Sequence, residues 1–183
     1  MHYFACMNRG EAIVLVGFMG TGKSSIGRYL AQRTNLPCYD TDEMISARFG
    51  LNIVEIFDRF GEAEFRAAET EALGRIPEHA AAIIVTGGGI VLRPENVALL
   101  RHLGIVVRLT AKQETLLERV SRCATRPLLQ AKNPRATFSE MLRLREPLYH
   151  DAADFTVDTS LLSHDEIAQL ILKQVEEARS QSR

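Results

Sequence analysis

Eight consecutive residues, Gly17-Phe18-Met19-Gly20-Thr21-Gly22-Lys23-Ser24, fit the spacing G-x-x-x-x-G-K-[ST]. A turn of this kind points successive backbone N–H groups at one spot. The positive end of the following helix adds to them, and Lys23 supplies a point charge for the outer phosphates of a nucleotide. The Ser24 hydroxyl is then in reach of a magnesium ion on those phosphates. Further along, Asp40-Thr41-Asp42 sets two carboxylates close together, and Gly87-Gly88-Gly89 offers bare backbone to a ligand. The run of bases from Arg119 to Arg145 supplies candidate anion ligands.

These groups need elements to hold them. Ala12 to Val16 is a short apolar run that reads as a buried parallel strand, and Ile26, Tyr29 and Leu30 follow the loop at helical spacing. That helix should end near Thr34, because Pro37 pushes Leu36 into an extended conformation, and Cys38 to Asp40 reads as a second strand. Strand, loop, helix and strand in about 30 residues make a βαβ unit, hence a parallel sheet covered by helices. Ligands in such sheets sit at the C-terminal ends of the strands, where Asp40 and Asp42 fall. A helix from Glu62 to about Arg75 carries Arg66, and a third strand, Ala82 to Thr86, runs into the three glycines. Ile105 to Leu109 and Phe155 to Val157 supply two more strands. Between them lie a helix over Ala111 to Arg122, a loop with Pro127 and Pro134, and a helix from about Phe138. A loop of that length in a compact domain is a lid or a disordered segment. Ile167, Leu170, Ile171 and Val175 mark a closing amphipathic helix. Asp40 with Glu43, Asn52 with Glu55, Thr110 with Gln113, Thr137 with Glu140 and Ser163 with Glu166 have capping-box spacing, and Gly50 and Gly61 read as helix stops.

The 183 residues, 46% of them hydrophobic, suit one domain over 12–180, preceded by a flexible tail over 1–11. There is no apolar run for a membrane span and no signal-peptide pattern, so a soluble cytoplasmic protein is expected. Cys6, Cys38 and Cys123 are odd in number and lack C-x-x-C spacing, which argues for reduced thiols and against a disulfide or zinc framework. Net charge is only −1, yet Asp40 to Glu71 holds nine acids against three bases, and Arg119 to Arg145 holds seven bases against Glu140 alone. A basic half of this kind wants an anion. With only Phe138 there to stack on a base, a small phosphorylated ligand fits better than nucleic acid. A dinucleotide-binding fingerprint fits poorly: Ser25 breaks its third glycine, and Lys23-Ser24 has no role in it.

Six motifs together resemble those of the shikimate kinases, over about Ala12 to Ser160. They are Gly17 to Ser25, Asp40-Thr41-Asp42, Gly61-Glu62 with Phe65-Arg66, Gly87-Gly88-Gly89, Arg126-Pro127-Leu128-Leu129 and Arg145-Glu146-Pro147-Leu148-Tyr149. Ser46 departs from the glutamate usual there. The resemblance implies a P-loop NTPase of the nucleoside-monophosphate-kinase type: an α/β fold with a five-stranded parallel sheet, helices on both faces and a mobile lid at about 120–136. It implies a monomer that binds ATP, Mg2+ and shikimate, with no nucleic-acid or membrane partner.

By the same resemblance, Gly20, Thr21, Gly22, Lys23, Ser24, Ser25, Arg119 and Arg126 bind ATP, with Arg119 against the adenine and the turn at Asp158 to Ser160 bordering it. Ser24 coordinates the metal and Asp40 holds one of its waters. Arg66 and Arg145 grip the substrate carboxylate, Asp42 and the backbone of Gly87, Gly88 and Gly89 hold ring hydroxyls, and Lys23, Asp42 and Arg126 serve catalysis. Plainer roles compete: Asp40 as a helix cap, Asp42 as a helix-dipole partner, Arg66 in surface pairs with Glu62 and Glu69, and the glycines as a tight turn. A gluconate-type kinase or a nucleotide-binding module without catalysis remains open as an alternative function.

Overall fold

A computed structural model describes residues 11–122 and 133–181. Arg126, the middle of the expected lid, and all of the expected tail except Glu11 lie outside the described residues. Five parallel strands form one sheet in the order β2-β3-β1-β4-β5. They are β1 (Ala12–Val16), β2 (Cys38–Asp40), β3 (Ile83–Val85), β4 (Gly104–Thr110) and β5 (Phe155–Asp158). The helices are α1 (Lys23–Thr34), α2 (Thr41–Phe49), α3 (Ile53–Gly74), α4 (Pro94–Leu103), α5 (Gln113–Ser121), α6 (Pro134–Ala152) and α7 (His164–Gln181). No described helix is long and apolar enough to cross a membrane.

All five residues of β1 are buried, as an inner strand covered on both faces requires. The pleat deals them alternately to two cores. Ala12, Val14 and Val16 face a cluster with Leu73, Leu100, Leu116, Phe138 and Tyr149, drawn from α3 to α6. Ile13 and Leu15 face Ile26 and Leu30 of α1 with Ile167, Ile171 and Val175 of α7. A third, smaller cluster lies off the sheet between α2 and α3, made of Ile45, Ile56, Phe65, Ala68 and Ala72.

Several boundaries differ from expectation, each for a local reason. Gly61 does end a helical segment, as its reading as a stop expects, though a second segment follows so closely that both count as α3. It takes φ 80° and ψ 172° inside α3, so the chain kinks there and resumes as helix at once. Thr110 remains in β4, paired with Asp158, so α5 starts at Gln113 with no side-chain cap. The proposed Thr137 and Glu140 box does not form, because Asn133 caps α6 ahead of Pro134 while Thr137 Oγ1 donates to the Asn133 carbonyl. Asp40 does cap α2, accepting from Asp42 N, but Glu43 turns to Arg28 instead. Helix α4 has no counterpart in the sequence reading. The Asn52 and Glu55 pair forms the full reciprocal box. Asn52→Ala is expected to lower stability by about 1 kcal/mol in chemical denaturation, and no loss would mean that water replaces the cap.

Candidate active site

The phosphate loop links β1 to α1. Gly20 and Gly22 take φ 85° and 93°, left-handed values that a side chain would strain, so their glycines are required by the turn itself. No acid lies in the first turn of α1 itself, whose positive end faces the loop. Lys23 is 8% exposed, and its Nζ donates to the carbonyls of Gly17 at 2.8 Å and Phe18 at 3.0 Å. Thr21 Oγ1 donates to the Phe18 carbonyl, while Ser24 and Ser25 are exposed on the first turn.

Beside the loop, Ser24 Oγ lies 3.3 Å from Asp40 Oδ2, and Asp40 Oδ1 accepts from Asp42 N at 3.0 Å. A hydroxyl and a carboxylate facing one another are hard oxygen donors of the kind Mg2+ takes, since that ion keeps most of its waters and uses few protein ligands. Among the described residues no group of three or more His, Cys, Asp or Glu is placed to cage an ion.

The three glycines leave the end of β3 and pass through a cluster of charged side chains. Gly87 N donates to Thr41 Oγ1, and a Cβ added at Gly87 would lie 2.5 Å from Asp42 Oδ1 and 2.9 Å from Glu69 Oε1. At Gly89 a Cβ would fall 2.0 Å from Arg66 Nη1. At Gly88 it would meet the loop backbone, Met19 N at 3.7 Å and the Gly17 carbonyl at 3.8 Å, with the Tyr149 hydroxyl also at 3.8 Å. The Gly88 carbonyl accepts from Arg145 Nη1 at 3.3 Å and from the Tyr149 hydroxyl. The structure therefore brings Asp42, Arg66, Gly87 to Gly89 and Arg145 together, directly beside the phosphate loop.

The two arginines differ in their surroundings. Arg66 donates to Glu69 at 2.5 Å and twice to Glu62, so two carboxylates offset its charge. Three of its five N–H groups are thereby engaged. Among the described residues no ion pair is seen for Arg145, although the buried Glu69 carboxylate acts on it through space. Next to it, Glu146 pairs with the buried Arg108 of β4 and braces α6 against the sheet.

Arg119 joins the phosphate loop to the turn after β5. Its guanidinium lies on the phosphate loop, donating to the Gly20 carbonyl at 3.3 Å and to Thr159 Oγ1 and the Thr159 carbonyl.

Two residues of this cluster, Glu69 and Tyr149, are not among the site residues the sequence points to. Glu69 has a side chain with 0% exposure, and burial pushes its carboxyl up while Arg66 opposes the shift. Its neighbours at helical spacing, Phe65, Ala72 and Leu73, are all buried, a periodicity that marks position 69 as inward-facing. Tyr149 is buried too, and burial pushes its hydroxyl up to about 12, so it remains a proton donor to Gly88 at neutral pH.

A glycine-rich loop after the first strand of a five-stranded parallel sheet, with a second cluster of arginines and carboxylates against it, defines a P-loop kinase of small molecules. Over residues 19–176 the chain matches the family model described as shikimate kinase. It is 43% identical to the shikimate kinase of Thermodesulfovibrio yellowstonii, covering 90% of this chain and 94% of that one. With the shikimate kinase of Thioalkalivibrio sulfidiphilus it shares 44% identity over 90% and 87% of the two chains. The solved shikimate kinase of Acinetobacter baumannii, in complex with shikimate, superposes with a TM-score of 0.86 at 36% identity, covering 92% and 94%. This chain belongs to the shikimate kinase family.

Proposed function

We propose that the protein transfers the γ-phosphoryl group of ATP to the 3-hydroxyl of shikimate, giving shikimate 3-phosphate and ADP on the route to chorismate and the aromatic amino acids. It does so as a cytoplasmic monomer. The observation that carries the reading is Gly88. A side chain there would meet the phosphate-loop backbone at 3.7–3.8 Å, and its carbonyl is held by Arg145 and Tyr149, so in this reading donor and acceptor sites share a wall.

Shikimate is a ring with one carboxylate and three hydroxyls. Arg145, with Arg66 beside it, binds the carboxylate, because a planar guanidinium matches its two oxygens. Asp42 and the backbone of Gly87, Gly88 and Gly89 hold the hydroxyls, and Asp42 accepts the proton of the attacking one. On the donor side the loop N–H groups, Thr21, Lys23, Ser24 and Ser25 hold the phosphates, with Arg119 and Arg126 contributing further charge. Ser24 would hold Mg2+ directly and Asp40 one of its waters; when bound, the ion neutralises charge on the phosphates. Phosphoryl transfer passes through a loose transition state, so placement and neutralisation matter more than a strong base.

A coupled ATPase assay with shikimate, gluconate and quinate tests the reading: turnover with shikimate is expected, and turnover with gluconate alone overturns it. Binding of both ATP and shikimate without product would instead favour a non-catalytic module. Gly89 offers an independent check. Its missing side chain is the space Arg66 occupies. Gly89→Ala displaces that guanidinium and is expected to raise the KM for shikimate by about 10- to 100-fold at little change in the KM for ATP. An unaltered shikimate KM would remove Arg66 from the site.

A further inference from the structure

The turn after β5 is tied into the phosphate loop by one buried hydroxyl. Thr159 is 2% exposed. Its Oγ1 lies 3.0 Å from the Thr21 carbonyl, 3.1 Å from the Thr110 carbonyl and 3.0 Å from Arg119 Nη1. A hydroxyl has one proton to give and two lone pairs to receive with. The hydroxyl proton is directed at the Thr21 carbonyl at 3.0 Å, with the Thr110 carbonyl, which also accepts the Thr159 backbone N–H at 2.8 Å, as its alternative acceptor. The Arg119 N–H comes in on a lone pair of the same oxygen. Arg119 also donates to the Thr159 carbonyl at 2.7 Å and to the Gly20 carbonyl at 3.3 Å. Two adjoining carbonyls of the loop, those of Gly20 and Thr21, are thus anchored from α5 and from the β5 turn. The same helix α5 packs tightly on the loop, since a Cβ at Gly20 would stand 3.0 Å from Val120 Cγ2 and 3.1 Å from the Leu116 carbonyl.

A trans peptide is planar, with its N–H directed opposite to its C=O. The Thr21 carbonyl shares a peptide unit with the Gly22 N–H. Holding that carbonyl toward Thr159 therefore aims the Gly22 N–H the other way. The geometry points to Thr159 as a positioning residue for nucleotide binding: its hydroxyl, acting through the Thr21 carbonyl and Arg119, fixes the direction of the loop N–H groups that receive phosphate. Thr159 itself touches no nucleotide, because its side chain is spent on the loop. The inference rests on the nucleotide half of the proposed function and is independent of the acceptor.

Thr159→Val keeps the shape and removes the hydroxyl, while Thr159→Ser keeps the hydroxyl. Titration calorimetry with Mg-ADP is expected to show affinity reduced about tenfold in the valine variant, the scale of one buried hydrogen bond, and nearly restored in the serine variant. The KM for shikimate at saturating ATP is expected to be the same in both, a split that general loosening of the fold would not produce. Mg-ADP affinity in Thr159→Val equal to that of the unmodified chain overturns the inference, as does a serine variant that binds as weakly as the valine one. Should the valine variant not fold, Thr159→Ala takes its place, and equal affinity in the alanine and serine variants overturns the inference. Failure of the unmodified chain to bind Mg-ADP overturns the nucleotide reading instead, and the inference with it.

Discussion

Asp42→Asn is expected to fold normally, bind Mg-ADP with unchanged affinity and turn over shikimate about 10²- to 10⁴-fold more slowly, the range usual for loss of a positioned proton acceptor. Shape is conserved in this exchange. Asparagine tolerates the first turn of a helix, and the backbone contact that fixes position 42, its N–H to Asp40 Oδ1, does not involve the replaced group. What disappears is a carboxylate beside Gly87 and Glu69, in the pocket that holds the ring hydroxyls in the proposed function. The plainer role, a negative charge at the start of α2, is worth only about 0.3–1 kcal/mol and would show as a small loss of stability with turnover intact. A rate within about threefold of the unmodified enzyme would thus assign Asp42 to the helix and remove it from the chemistry.

Arg145→Ala carries the second large effect, on binding. Arg66 is hydrogen-bonded to two glutamates, whereas Arg145 is hydrogen-bonded to the Gly88 carbonyl and feels Glu69 only through space, so the net attraction for a carboxylate is expected to centre on Arg145. Its removal is expected to cost about 2–5 kcal/mol of shikimate interaction, read as a KM higher by more than tenfold, with the KM for ATP nearly constant. The guanidinium reaches the site from α6 and donates to Gly88, and α6 is separately anchored by Tyr149 and by the Arg108–Glu146 pair. Alanine at 145 therefore leaves the helix seated. Equal losses for both substrates would mean that the arginine holds the Gly88 turn in shape and contributes nothing specific to the acceptor.

How much of this was legible in the sequence depends on how local each feature is. The phosphate loop is written in consecutive residues, and its strand and helix follow from an apolar run and a helical period. The parallel sheet follows from the βαβ unit. Asp42, Arg66, the three glycines and Arg145 were readable as motifs, but their convergence depends on how α2, α3, β3 and α6 pack. Thr159 and Thr21 are 138 residues apart, and no pattern near either one predicts the bond. Capping-box spacing misled at Thr110 and Thr137 because it is easily satisfied. Strand pairing claimed the first, and an Asn-Pro start upstream outcompeted the second. Glu69 entered only through the plainer reading of Arg66 as a surface-pair partner; that pair forms, but buried, as the apolar neighbours of position 69 foretell.

The small cluster between α2 and α3 has a consequence for how the molecule breathes. Ile45, Ile56, Phe65, Ala68 and Ala72 pack on one another apart from both cores of the sheet, and the kink at Gly61 interrupts the helix that carries most of them. A unit with its own apolar nucleus and a weak point in its backbone can open cooperatively at less than the free energy of global unfolding. Arg66 and Glu69 lie on α3 beyond the kink and Lys23 on α1, so opening at Gly61 is expected to disturb the proposed acceptor half of the site before the proposed nucleotide half.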